Sequence, residues 1–230
     1  NRATGKLIWF HGSSVGEILS VIPLIEKLEK NKNISQILLT SNTLSSSKVI
    51  KNFKLKKTIH QFFPIDSSLI VNKFLNYWKP SLVVFVESEI WPNMILKISK
   101  KKIPLILINA RITKKTFKKW DKISSFSKNI FEKFDLCLSQ NDETNVFLKN
   151  LGVRKIEKVG KWIHEHVEFS VCPRDLTKEC HRKARADASR YSRPVSPSNQ
   201  HCKSSSSQPG GAAPCFMSKV ARIAPHALRI

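Results

Sequence analysis

Between Lys6 and Val159, short continuous apolar runs alternate with longer segments in which apolar residues recur every three or four positions. The runs predict strands at Leu7–Phe10, Gln36–Thr40, Thr58–Gln61, Leu82–Val86, Leu105–Ile108, Leu136–Leu138 and Glu157–Val159. The periodic segments predict helices at Gly16–Lys30, Ser45–Asn52, Ser67–Trp78, Pro92–Lys100, Thr116–Phe131 and Asp142–Leu151. Unbroken apolar runs such as Leu82–Val86 and Leu105–Ile108 suit strands covered by helices on both faces. Regular strand–helix alternation then predicts an α/β domain with a parallel sheet and right-handed crossovers.

In such a sheet, ligands lie beyond the carboxyl ends of the strands, so the strand ends carry the functional information. The first ends in His11-Gly12-Ser13-Ser14-Val15-Gly16-Glu17 and the second in Thr40-Ser41-Asn42-Thr43. The fourth ends in Glu87-Ser88-Glu89, before Trp91-Pro92-Asn93; the fifth ends in Asn109-Ala110-Arg111, and the sixth in Ser139-Gln140-Asn141. Each alone reads as a helix cap or a solvated turn, but together they gather polar and charged groups on one rim. The stretch Leu7–Ile25 reads as strand, glycine turn and helix, with Glu17 in the first helical turn. Small residues there let backbone N–H groups face a ligand at the positive end of the helix dipole. Glu17 has two readings: an acid that suits the dipole, or a base that takes a proton from a bound hydroxyl. The spacing G-x-x-x-G-E is neither the dinucleotide fingerprint nor a phosphate-binding P-loop.

Charge changes the picture next. The 230 residues carry a formal net charge of +23, an excess that calls for an anionic partner: nucleic acid, phosphorylated lipid or an acidic membrane surface. Between Lys114 and Phe134, Phe117, Trp120, Ile123, Phe126, Ile130, Phe131 and Phe134 are interleaved with lysines. That stripe fits either a core-facing helix backed by solvated lysines or the surface of an anionic bilayer. For nucleic acid, lysines scattered over helices without a recognised aromatic motif argue against binding. Of five cysteines only Cys137 falls in the patterned region, where it reads as a small apolar core residue of a reducing compartment. The set Cys172, Cys180, His181, His201, Cys202 and Cys215 contains no C-x-x-C pair, and no metal site is expected from it. Near Ile163 the composition shifts from lysine and isoleucine to arginine, alanine, serine and proline, and periodicity ends. The expected division is a domain over 1–162 and an unstructured tail over 163–230, frameshifted or non-native in origin.

Three elements in order carry a family resemblance: Ile8-Trp9-Phe10-His11 with Ser14-Val15-Gly16-Glu17, then Glu87-Ser88-Glu89-Ile90-Trp91-Pro92-Asn93, then Ile108-Asn109-Ala110-Arg111. Together they resemble the 3-deoxy-D-manno-octulosonic-acid (Kdo) transferase family of lipopolysaccharide assembly. Leu38–Thr43, Pro64-Ile65-Asp66, Ser139-Gln140 and Leu151-Gly152 add to the likeness, which runs from about Lys6 to Gly160. The resemblance implies the Rossmann-like N-terminal half of a GT-B glycosyltransferase. It implies CMP-Kdo as donor, a lipid A precursor (lipid IVA) as acceptor, inversion at the anomeric carbon, and no cofactor or protein-bound metal. By position, Glu17 would deprotonate the acceptor hydroxyl, and Glu87 or Glu89 would help stabilise the transition state. Ser13, Ser14, Asn93, Asn109 and Arg111 would line the acceptor pocket, with Arg111 alternatively pairing with Glu87 or Glu89. The implied location is the cytoplasmic face of the bacterial inner membrane, peripheral or anchored by a segment upstream of Asn1.

The departures from the family also set expectations. Gly160-Lys161-Trp162-Ile163 replaces the family's glycine, asparagine and nearby lysine, and nothing beyond it resembles the second, CMP-binding Rossmann domain. A truncated half that binds acceptor without transferring Kdo is the expectation, because aligning donor with acceptor supplies much of the rate enhancement. The rival reading is a non-catalytic, basic lipid- or nucleic-acid-binding domain of the same fold.

Overall fold

The computed structural model describes residues 1–159, which carry seven strands and seven helices. In chain order they are β1 (Leu7–His11), α1 (Val15–Glu29), β2 (Gln36–Ser41), α2 (Leu44–Ile50), β3 (Thr58–Phe62), α3 (Ser68–Trp78) and β4 (Leu82–Val86). There follow α4 (Pro92–Lys100), β5 (Leu105–Ala110), α5 (Lys114–Asp121), α6 (Ser124–Phe131), β6 (Leu136–Ser139), α7 (Asp142–Asn150) and β7 (Ile156–Lys158). All strand pairs are parallel, in the order β3-β2-β1-β4-β5-β6-β7. This is a Rossmann-like sheet. Its strand order reverses between β1 and β4, where Phe10 pairs with Leu39 on one side and Val84 on the other.

Period-two alternation divides the core into two layers. Ile8, Phe10, Ile37, Leu39, Val84 and Val86 pack under the apolar stripe of α1, Ile18, Val21, Ile22, Ile25 and Leu28. Leu7, Trp9, Leu38, Val83, Phe85 and Leu107 face the other way, onto Phe74, Trp78, Met94, Ile95 and Phe131. Trp9 is wholly buried there, tilted on Phe74 with centroids 4.8 Å apart and edge-on to Phe85 at 5.6 Å. Burying the central strands on both faces is the main stabilising term, roughly 25 cal/mol for each Å² of apolar surface removed from water. Cys137 is buried in β6, and burial pushes its thiol pKa up.

One expected helix is two. The segment 116–131 breaks at Lys122–Ile123, where Ile123 adopts φ −117° and ψ 47°. No residue of α5 is fully buried, so packing does not hold it in line with α6. The break lets α5 fold back on its neighbours: its Phe117 stacks on Phe147 of α7 at 4.5 Å, and its Trp120 meets Phe131 of α6 edge-on at 5.4 Å. Most of the aromatic stripe therefore faces the core, with Ile130, Phe131 and Phe134 buried and only Ile123 and Phe126 exposed. The expected tail over 163–230 and its cysteines and histidines lie outside the described residues.

Candidate active site

The turn after β1 places Glu17. Gly12 is needed there: a Cβ on it would stand 3.1 Å from the Glu17 Cβ and 3.4 Å from the Ile18 Cδ1. Ser14 caps α1, its Oγ accepting from the Glu17 N–H at 3.2 Å while its hydroxyl donates to Glu17 Oε1 at 2.8 Å. The Ser13 N–H donates to Glu17 Oε2 at 2.8 Å. This reciprocal arrangement is a variant of the capping box, and it folds the carboxylate back over its own helix terminus. Gly16 is exposed, and a Cβ there would find only the Ser14 Oγ, at 4.0 Å.

The loop after β4 supplies the other two carboxylates. Glu87 sits in the left-handed region at φ 59°, with its N–H bonded to the Ile108 carbonyl at 2.9 Å. Glu89 Oε2 lies 3.0 Å from His11 Nε2 and accepts from the Trp91 indole at 2.7 Å. Pro92 then opens α4, where its missing N–H costs nothing. Asp66 caps this helix from the loop after β3, accepting from the N–H groups of Asn93 and Met94 at 3.1 and 2.8 Å. The Asn93 amide donates to the Asp66 carbonyl at 2.7 Å, so this side chain ties loop to helix at the exposed edge.

A register shift in β5 turns Asn109 toward Glu87, at φ 53°. Its Nδ2 lies 3.4 Å from Glu87 Oε1, and its buried Oδ1 has no hydrogen-bond partner. The Gln140 amide holds the Asn109 carbonyl at 3.0 Å, and the Ser88 hydroxyl holds that of Arg111 at 2.5 Å. Arg111 itself is exposed.

The structure thus brings Glu17, Glu87, Glu89, Ser13, Ser14 and Asn109 together at the β1–β4 reversal, with Asn93 and Arg111 on the exposed rim. The carboxylates differ in proton affinity. Burial and the charges of Glu17 and Glu89 push Glu87 up to about 7, against the pull of Arg111. Burial also raises Glu17, partly offset by its bonds to Ser13 and Ser14. Burial acts on Glu89 too, but hydrogen bonds from His11, Trp91 and Ser13 outweigh it and hold this acid below the usual carboxylate range. Carboxylates so graded can at once accept a proton from a hydroxyl and donate a hydrogen bond to another oxygen. Among the described residues no group of three His, Cys, Asp or Glu is arranged to hold a metal ion.

The sequence profile of the 3-deoxy-D-manno-octulosonic-acid transferase (kdotransferase) family matches residues 1–162. The chain belongs to this family. A probable mitochondrial Kdo transferase of Arabidopsis thaliana is 44% identical over 119 residues, covering 52% of this chain and 27% of the plant protein. The Kdo transferase of Rickettsia felis is 35% identical over 173 residues, covering 75% of this chain and 37% of its own. The chain therefore spans between about a quarter and two-fifths of the Kdo transferases it matches. Among solved structures, UDP-GlcNAc 2-epimerase from Neisseria meningitidis aligns with TM-score 0.53 at 15% identity, over 82% of this chain and 55% of that one. The corresponding Rickettsia bellii enzyme aligns with TM-score 0.50 at 16% identity, over 81% and 52%. These likenesses establish the fold, shared by GT-B glycosyltransferases and epimerases.

Within the Kdo transferase frame, four contributors escaped the sequence reading as site residues: His11, Thr40, Asn42 and the Trp91 indole. Asn42 donates to the Ser13 Oγ at 2.5 Å. The available signal was a titratable residue ending a central, otherwise apolar strand. Its partner Glu89 lies 78 positions away, which no local pattern reports.

Proposed function

We propose that this chain is the acceptor-binding half of a Kdo transferase, presenting a hydroxyl of a lipid A precursor (lipid IVA) to Kdo carried by CMP. The convergence of Glu17, Glu87 and Glu89 at the strand-order reversal carries this reading. Glu17 acts as base: burial raises its basicity, and the bonds from Ser13 and Ser14 offset part of that rise. As the bond from acceptor oxygen to anomeric carbon forms, the proton passes to Glu17. The bond to the CMP phosphate breaks on the opposite face, CMP leaves, and the configuration inverts. The orphaned Asn109 Oδ1 accepts from an acceptor hydroxyl, and Ser13, Ser14, Asn93 and Arg111 line the same pocket.

Transfer requires a CMP-binding half to align the donor, so the chain alone binds acceptor without turnover. The acceptor arrives on an anionic membrane surface at the cytoplasmic face of the inner membrane, which suits the excess of lysines. The test is titration of the full chain with lipid IVA in detergent micelles, followed by amide shifts at Ser13, Ser14, Gly16 and Asn109. Saturable shifts that disappear in Glu17→Gln/Asn109→Ala support the reading. Robust Kdo transfer from CMP-Kdo by this chain alone overturns the half-site assignment.

A second reading rests on charge. Asn72, Lys97, Lys100 and Lys101 line a groove of about 260 Å³ where α4 ends, at the edge of the sheet away from the carboxylates. A purely charge-driven lipid or nucleic-acid binder would bind anions there. Its binding would be lost in high salt and indifferent to Glu17→Gln.

A further inference from the structure

Behind the carboxylates runs a chain of buried polar contacts. The Trp9 indole N–H donates to Thr40 Oγ1 at 2.9 Å, and that oxygen lies 3.0 Å from His11 Nδ1. His11 Nε2 lies 3.0 Å from Glu89 Oε2. Trp9, His11 and Thr40 are all fully buried. The imidazole is clamped against Phe63, with ring centroids 3.8 Å apart and planes 22° apart, and lies edge-on to Phe85 at 5.5 Å. Its orientation is therefore fixed by packing as well as by hydrogen bonds.

The two ends of this chain set its direction. An indole N–H only donates, so Thr40 Oγ1 accepts there, and its own hydrogen goes to the Phe10 carbonyl at 3.3 Å. An ionised carboxylate only accepts, so the hydrogen between His11 and Glu89 belongs to Nε2. A ring with its hydrogen on Nδ1 alone would set a bare nitrogen lone pair against the Glu89 carboxylate at 3.0 Å. On the other side of the ring, Nδ1 lies 3.0 Å from Thr40 Oγ1 and 3.2 Å from the Thr40 carbonyl, so Thr40 holds the imidazole from behind. Glu89 is gripped from a second side as well: Asn42 bonds Ser13 Oγ, and the Ser13 side chain bonds Glu89.

We propose that His11 is a positioning residue which, by donating from Nε2, fixes Glu89 as a permanent negative charge and so leaves the proton of the site on Glu87. Glu87 and Glu89 then have different roles. Glu89 is the fixed anion, and Glu87 is the neutral acid at the strand-order reversal, able to donate its O–H to substrate. The geometry agrees with this division: Glu89 Oε2 faces two ring N–H groups at 3.0 and 2.7 Å, whereas the contact to Glu87 Oε1 is a long one from the Asn109 amide, at 3.4 Å. The charged groups facing the pair are His11 from β1, Glu17 from α1 and Arg111 beyond β5. Burial and then Glu17 raise Glu87 against the pull of Arg111, while the hydrogen bonds from His11, Trp91 and Ser13 outweigh burial and lower Glu89. This inference rests on the acceptor-site reading, but its NMR readout is taken without acceptor or donor, and lipid IVA binding is measured separately.

The experiment is NMR on the full chain with carboxyl-13C glutamate and ring-15N histidine. In the unsubstituted chain at pH 8, the His11 Nε2 is expected to carry a proton; a bare Nε2 overturns the proposal. Two separated midpoints are expected, Glu89 low and Glu87 high. In His11→Phe, which keeps the ring on Phe63 and removes the hydrogen bonds, the separation should narrow by about one pH unit or more. Thr40→Val should narrow it less, and Thr40→Ser should restore it. A His11 that merely packs would lower the melting temperature in these variants and leave the separation unchanged, and that result also overturns the proposal. An unchanged separation with intact lipid IVA binding condemns only the His11 assignment. Narrowing without lipid IVA binding condemns only the acceptor reading.

Discussion

Glu87 and Asn109 are both non-glycine residues in the left-handed region, at φ 59° and 53°, and they face one another across the ends of β4 and β5. Each such backbone costs on the order of 1–3 kcal/mol, which persists only where the surroundings hold it. Here the holders are the bond from Glu87 N–H to Ile108, the Gln140 clamp on the Asn109 carbonyl, and the β5 register shift. The burial that raises Glu87 to about 7 also has a stability signature. Its native pKa lies above the ordinary 4.5, so between those values the folded chain binds more protons than the unfolded one. Its contribution to stability therefore falls as pH rises through that window. Glu87→Gln should remove this fall, gaining on the order of 1 kcal/mol at pH 8 relative to pH 5 after discounting for partial solvent screening. Urea unfolding at the two pH values checks it; an unchanged pH slope contradicts the raised pKa. Glu89 has the opposite sign: its contribution is full above the unfolded pKa and is lost as pH falls through its lowered native one.

At the scale of elements, the start of α1 separates packing from access. Gly12→Ala forces a Cβ to 3.1 Å from that of Glu17, so it should cost about 1–3 kcal/mol and displace the helix terminus. Gly16→Ala meets open space in the first helical turn, so it should stabilise by a few tenths to about 1 kcal/mol. The same Cβ projects toward the rim, and weaker lipid IVA binding is expected from this more stable variant. Thermal melts with parallel binding titrations check both signs. Ser14→Ala removes the cap and should cost about 1 kcal/mol, while raising Glu17 further by loss of its donor. These elements were legible because their signals are local: an apolar run, a glycine turn, and Ser14 three residues before Glu17. The break between α5 and α6 was not legible, since the apolar spacing from Phe117 to Phe134 continues through it. Only the folding of Trp120 in α5 back onto Phe131 in α6, with Phe117 on Phe147 of α7, reveals two helices. The site divides the same way. Glu17 announces itself within its own turn, whereas the pairing of His11 with Glu89 exists only once β1 and β4 are neighbours.

For the whole molecule, charge and exposed apolar surface decide how the proposed lipid-borne acceptor would be met. The lysine–aromatic helix suggested by the sequence leaves only Ile123 and Phe126 exposed. A larger apolar set lies where β2 and β3 end, beside the carboxylates: Leu44, Phe62, Ile65, Leu69 and Ile70, with Ile65 and Leu69 at 74% and 78% exposure. No helix among the described residues is long and apolar enough to cross a membrane, so contact through this rim would be interfacial. Two forces then act with different salt dependence. Attraction of the net charge of +23 to an anionic bilayer is screened as the Debye length shrinks from about 10 Å at 0.1 M salt to about 3 Å at 1 M. Insertion of apolar side chains persists at high salt, contributing roughly 25 cal/mol per Å² removed from water. The full chain should therefore float with anionic vesicles at low salt and retain part of that binding at 1 M. Ile65→Asp/Leu69→Asp should abolish the salt-resistant part, and Phe126→Asp should leave it intact. Equal recovery with anionic and neutral vesicles would remove charge from the account, and no recovery with either would remove the membrane. Loss through Phe126→Asp alone would move the contact to α6 and away from the carboxylates.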